Sequence, residues 1–214
     1  MGTGFLIFVA VAGLMSAAPG NVNFDSSKPG AAPPNWTIGP GSHGTLPWLV
    51  RSDSSAPSRG NVLESSARGD DSPVAVFDPV ICKDGDLSVK FRIDPKASGG
   101  TAGIVWRYAD ARNYYVLDFN PGQKTITLYR VRDGVRQPVP EKGLGLLRSR
   151  HDIPTGQWHA AKVSFRGNNI KVFFGNRRLF EASDSGLAGA GKAGVVTSGA
   201  TIAAFDDFRI DKKS

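Results

Sequence analysis

Apolar and polar side chains alternate along this chain in short runs. Leu87, Val89, Phe91 and Ile93 are separated by Ser88, Lys90 and Arg92, a period that turns one face to a core and the other to water. Comparable runs recur at Ala102–Tyr108, Tyr114–Phe119, Thr125–Val131, Ala160–Phe165, Ile170–Phe174, Gly194–Thr197 and Ile202–Ile210. Weaker ones stand near Trp36–Ile38, Trp48–Arg51 and Asn61–Ser65, in a stretch rich in Pro, Gly and Ser. No window sustains a helical period for three turns. With 26 glycines and 14 prolines between the runs, the pattern predicts an all-β domain of many short strands and tight turns. It forms one unit over residues 21–214.

The apolar pattern also sets hairpin registers. A four-residue loop Ala109–Arg112 pairs Arg107 with Tyr114, placing Ile104, Trp106, Tyr108, Tyr115, Leu117 and Phe119 in the core. Val105, Arg107, Tyr114, Val116 and Asp118 then face outward. A loop Asn120–Gln123 pairs Tyr115 with Leu128 inside and Tyr114 with Tyr129 outside. The Asp133-Gly134 turn sets Val131 opposite Arg136. The expected outer patch is therefore Arg107, Tyr114, Tyr129 and Arg136. Tyrosine rings pair a flat apolar face with a polar edge, which suits sugar C–H faces and hydroxyls. Guanidinium groups fork to hydroxyls or to the carboxylate of an acidic sugar. The plainer reading is cross-strand aromatic packing with arginine stems laid over it.

Charge changes this picture little. The net charge of +7 raises the prior for an anionic partner, but lysines and arginines never run longer than two. No zinc-ligand spacing or ribonucleoprotein-like aromatic motif accompanies them, so a solvated basic surface is expected and nucleic acid is not. The single cysteine, Cys82, follows Val80-Ile81 and reads as a buried structural thiol. Phe5–Met15 is an uncharged apolar run followed by Ser16, Ala17 and Ala18, too short to span a bilayer as a helix. Residues 1–20 are accordingly expected to be a signal peptide, although Met1–Gly4 lacks the usual Lys or Arg, and the protein is expected to be secreted or periplasmic.

The segments KDGDLSVKFRI, AGIVWRYADARNYYVLDF, TITLYRVRDGVRQPV, GQWHAAKVSFRGNNIKVFFGNRRLFEASD, GKAGVVTSG and FDDFRI follow one another between Lys83 and Ile210. Together they resemble the 3-keto-disaccharide hydrolase domain, a glycoside-hydrolase-like family of the concanavalin A-like lectin/glucanase group. The match is good over Val74–Ile210 and weak before it. It implies a two-sheet antiparallel jelly-roll sandwich and an extracytoplasmic domain that recognises or processes a saccharide or glycoconjugate. Fold alone does not select an activity. A non-catalytic carbohydrate-binding module and an adhesion module similar to laminin G-like domains are the alternatives. A glycoside hydrolase or lyase stays open, but glucanases of this group carry E-x-D-x-E on one strand. Here the three glutamates, Glu64, Glu141 and Glu181, are not so spaced.

Three further features bear on chemistry. His43, His151 and His159 are far apart, and no nucleophile elbow or phosphate-cradling loop accompanies them. Asn35-Trp36-Thr37 is a formal glycosylation sequon. Strict alternation through Ile202–Ile210 turns Asp206 inward, where a carboxylate needs hydrogen bonds or a cation. The resemblance implies a structural calcium where first and last strands meet, held by Asp25, Asp206 and backbone carbonyls. The competing explanation is a bulge that turns Asp206 outward and Phe205 inward.

Overall fold

The computed structural model describes residues 20–39, 47–66, 72–96, 99–145 and 148–213. The expected export segment and His43 lie outside them. Strands are numbered along the chain. The first sheet runs β14 (Arg177–Ser183), β13 (Asn169–Phe174), β12 (His159–Arg166), β6 (Asp84–Ile93), β16 (Ile202–Lys213), β4 (Asn61–Ser66) and β3 (Trp48–Ser52), with β1 (Asn21–Val22) also paired to β16. The second runs β10 (Val135–Pro138), β9 (Thr125–Arg132), β8 (Asn113–Asn120), β7 (Thr101–Asp110), β15 (Gly191–Ser198), β5 (Val74–Cys82) and β2 (Trp36–Ile38), with β11 (Ser149–Arg150) on β9. All pairings are antiparallel. Among the described residues no helix is long and apolar enough to cross a membrane.

The inner faces of the two sheets supply one core. Trp48, Phe91, Trp106, Tyr115, Phe119, Phe165 and Phe205 are all sealed within it. Trp106 stacks on Tyr115 across β7 and β8 with ring centroids 5.5 Å apart. Both were expected inside, as was Cys82, which is buried and free. With one cysteine in the chain no internal disulfide can form, so apolar burial is the main support of the sandwich.

Two bulges change which side chains face in. The body of the β7–β8 pair has the expected register, Trp106 opposite Tyr115 and Ile104 opposite Leu117. Beyond Trp106 it shifts, because Arg107 adopts a left-handed φ of 47° and Asp110 pairs directly with Asn113. The turn is therefore Ala111-Arg112, not Ala109–Arg112. Against β8 the strand gains two residues and against β15 one, and the single extra residue there sends Arg107 inward and Tyr108 outward, the reverse of the expectation for both. Gly191 on β15 accommodates the irregularity: a Cβ there would lie 2.4 Å from the Arg107 carbonyl carbon.

The second bulge lies between Asp206 and Arg209 on β16, with Asp207 at a φ of 49°. Ala203, Phe205, Phe208 and Ile210 enter the core, while Ile202 is exposed and Ala204 packs outside against Ala56 and Val62. Strict alternation through Ile202–Ile210 is thus overturned: the shift falls after Asp206, so Phe205 takes the inward position together with Phe208 and Ile210. In β8–β9, Leu117 rather than Tyr115 stands opposite Leu128, and Val116 rather than Tyr114 opposite Tyr129. The loop is Pro121–Lys124, one residue later than expected. The two-residue slip preserves parity, so faces are unchanged. Val131 does stand opposite Arg136.

Candidate functional site on the outer face of the second sheet

The outer face of the second sheet carries valines from five strands: Val76, Val105, Val116, Val131 and Val196 form a buried cluster beneath Tyr108, Tyr114 and Tyr129. Tyr108 and Tyr114 pack as a tilted pair with centroids 5.4 Å apart and an angle of 36° between the rings. The Arg136 guanidinium lies over the Tyr129 ring at 4.0 Å, a cation–π contact that fixes its direction. Tyr114, Tyr129 and Arg136 are therefore brought to one face, on β8, β9 and β10. Arg107 is not among them.

Arg107 is 3 % exposed and closes one end of the sandwich. Its Nε donates to the Lys83 carbonyl at 2.8 Å, its Nη1 to the Leu187 carbonyl at 2.8 Å and its Nη2 to the Gly167 carbonyl at 2.6 Å. Asp84 supplies the countercharge at 3.3 Å. Asp84 lies on β6 of the first sheet and the three carbonyls come from loops that enter, leave or connect strands of that sheet, so the guanidinium, carried on β7 of the second sheet, joins the layers.

Asp118 takes the place at the site that Arg107 leaves. It lies on β8 two positions beyond Val116, and outward alternation from Tyr114 already puts it on this face. Its side chain is buried, accepts a hydrogen bond from Thr101 Oγ1 at 2.7 Å and pairs with Arg136 at 3.4 Å. Burial pushes its carboxyl above the usual carboxylate range, and Arg136 and the Thr101 hydroxyl oppose that rise. A cavity of about 160 Å³ opens here, bounded by Tyr114, Val116, Asp118, Val131, Arg136 and Ser198. Burial likewise raises the Tyr114 hydroxyl, keeping it neutral and able to donate. Larger depressions exist, but their chemistry is less distinctive. In one of about 420 Å³ on the first sheet, Lys90 and Arg209 are already matched by Asp207 and Asp211.

A second polar cluster joins the first and last strands of the first sheet. Asp206, fully buried on β16, accepts from the Ser58 amide at 2.9 Å and the Asp207 amide at 2.7 Å. The Ser58 hydroxyl lies 3.1 Å from an oxygen of Asp206 and 3.1 Å from one of Asp25. Its one proton cannot serve both. Among the described residues neither carboxylate has a basic partner within salt-bridge distance. Burial raises the Asp206 carboxyl, as does neighbouring Asp207, against the lowering effect of the Ser58 and Asp207 hydrogen bonds. Two carboxylates, the Ser58 hydroxyl and the Asn23 carbonyl, 3.4 Å from that hydroxyl, form a set of hard oxygen donors. The set fits calcium in kind.

No protein-family model matches the chain, and no curated protein matches it. Solved structures do. The carbohydrate-binding module CBM66 of Bacillus subtilis superposes with a TM-score of 0.65 at 15% identity, over 83% of this chain and 96% of that one. The laminarinase of Rhodothermus marinus gives 0.61 at 13% identity, over 90% and 95%. A GH43 protein of Bacillus licheniformis gives 0.61 at 17% identity, covering 92% of this chain but 40% of its own length. At these identities the likeness shows the fold: a two-sheet antiparallel jelly roll.

Proposed function

We propose that this domain recognises a saccharide on the outer face of its second sheet, and does so outside the cytoplasm. The observation that carries the reading is the buried Asp118 carboxylate at a small cavity, paired to an Arg136 that is itself stacked on Tyr129. Apolar sheet faces seldom hold a carboxylate without use for it, because burying charge costs several kcal/mol unless paired. Aromatic faces, a hydroxyl and an oriented ion pair are what a sugar's mixed surface requires. The jelly-roll neighbours include a carbohydrate-binding module and a laminarinase, which supports the same class of ligand.

The finer reading, processing of a disaccharide, is supported by the resemblance of Val74–Ile210 to 3-keto-disaccharide hydrolases. Recognition is the role the geometry supports best. Two carboxylates usually flank a glycosidic bond that is hydrolysed, and among the described residues Asp118 is the one carboxylate that bounds this cavity. At the other cluster, Asp25 and Asp206 would hold a structural calcium that ties the loop after β1 to β16.

A glycan array on the mature chain tests the ligand class. Tyr114→Ala should weaken the best-bound glycan by roughly 1–2 kcal/mol while the melting temperature changes little. Unchanged affinity in a variant that melts early would make Tyr114 a packing residue and move the binding face elsewhere.

A further inference from the structure

Resting on the saccharide reading of this face, we infer that the cavity takes a neutral sugar ring through two adjacent hydroxyls, one donating to Asp118 and its neighbour accepting from Arg136. The direction of the hydrogen bonds at the cavity carries the inference. Thr101 Oγ1 donates its only proton to Asp118 Oδ1 at 2.7 Å. The Ser198 hydroxyl, 2.7 Å from Thr101 Oγ1, must therefore be the donor of that pair. Its lone pairs are left for the cavity, which it helps to line. The relay Ser198 to Thr101 to Asp118 spends its protons inward and presents acceptors outward.

Arg136 supplies the opposite polarity. Its Nη2 stands 3.4 Å from Asp118 Oδ1, and Tyr129 holds the guanidinium plane from beneath. Among the described residues Asp118 Oδ2 has no partner. An acceptor and a donor this close match neighbouring hydroxyls of one ring. The cavity, about 160 Å³, is below the roughly 300 Å³ at which pockets for larger ligands begin, which also suits a single ring.

The same pair argues against an acidic sugar. Asp118 and Arg136 cancel, so the cavity offers no net positive charge. A ligand carboxylate would have to draw Arg136 away and leave Asp118 buried and unpaired, a strongly unfavourable exchange.

The test is an array of neutral oligosaccharides with their C6-oxidised uronate counterparts, each also presented after periodate cleavage of vicinal diols. The expected result is binding of neutral glycans, at least tenfold weaker binding of the matched uronates, and loss of signal after periodate. Asp118→Asn should lower affinity at least tenfold. If that variant does not fold, Arg136→Gln, on an exposed edge strand, should give the same loss. Uronates bound as tightly as neutral glycans, or periodate-treated glycans still bound, would overturn the diol inference and leave saccharide recognition standing. An array on which no glycan binds would overturn both.

Discussion

A guanidinium sealed between two sheets loses several kcal/mol of hydration, and at Arg107 three carbonyls and Asp84 offset that loss. Its left-handed backbone adds a further cost of about 1–3 kcal/mol, tolerated because the surrounding contacts hold the conformation. Arg107→Ala should therefore lower unfolding free energy by on the order of 3–5 kcal/mol in urea titration. A loss below about 1 kcal/mol would mean those carbonyls are satisfied without it. Nothing in the alternation of WRYAD announces the bulge, so the expected patch wrongly included Arg107 and placed Tyr108 inside. Asp118, by contrast, was legible: it sits at even spacing from Tyr114. Only its pairing with Arg136 required three dimensions.

At the scale of elements, β2, β3 and β4 were readable even in the Pro- and Gly-rich region, because Trp36, Trp48 and the Val62-Leu63 pair mark them. The edge strand β14 was missed, since its RRLFEAS run begins with two exposed arginines and only Phe180 and Ala182 turn fully inward. The bulge in β16 moved the core position from Asp206 to Phe205, as the competing reading of that strand anticipates. The element-scale prediction concerns the junction of β16 with the loops bearing Asp25 and Ser58. Asp206 has a raised carboxyl, so its stabilising contribution is full below the unfolded aspartate pKa of about 3.9 and is lost as pH rises through the folded value. Calcium would bind the ionised form and reverse that loss. Calcium should thus raise the melting temperature more at pH 7.5 than at pH 5, and by nothing in Asp206→Asn. A hundredfold excess over Kd corresponds to about 2.7 kcal/mol. Coincident melts in calcium and chelator at both pH values would leave the two carboxylates as hydrogen-bond acceptors of Ser58.

On the scale of the whole molecule, the sandwich must stand without a disulfide, which suits either side of a membrane and so does not decide location. The export proposal rests on Phe5–Met15 and the small residues after it. N-terminal sequencing of the secreted chain should start near Pro19 or Asn21. Recovery of the protein inside the cell with Met1 intact would end that proposal.

The position of β16 has a consequence in time. It lies inside the first sheet, with β6 on one flank and β4 and β1 on the other. Asn21 pairs with Arg209 and Asp84 with Lys213, so partners nearly the length of the domain apart meet on this one strand. As the chain emerges from the ribosome, β6 and β4 have no neighbour to bridge them until residues beyond Ile202 are available. The first sheet cannot close progressively; it closes at the end. Completion of the first sheet therefore waits for the last strand, at the cost of slow, non-local folding. Under the export proposal, that delay would suit a translocation channel admitting only unfolded chains.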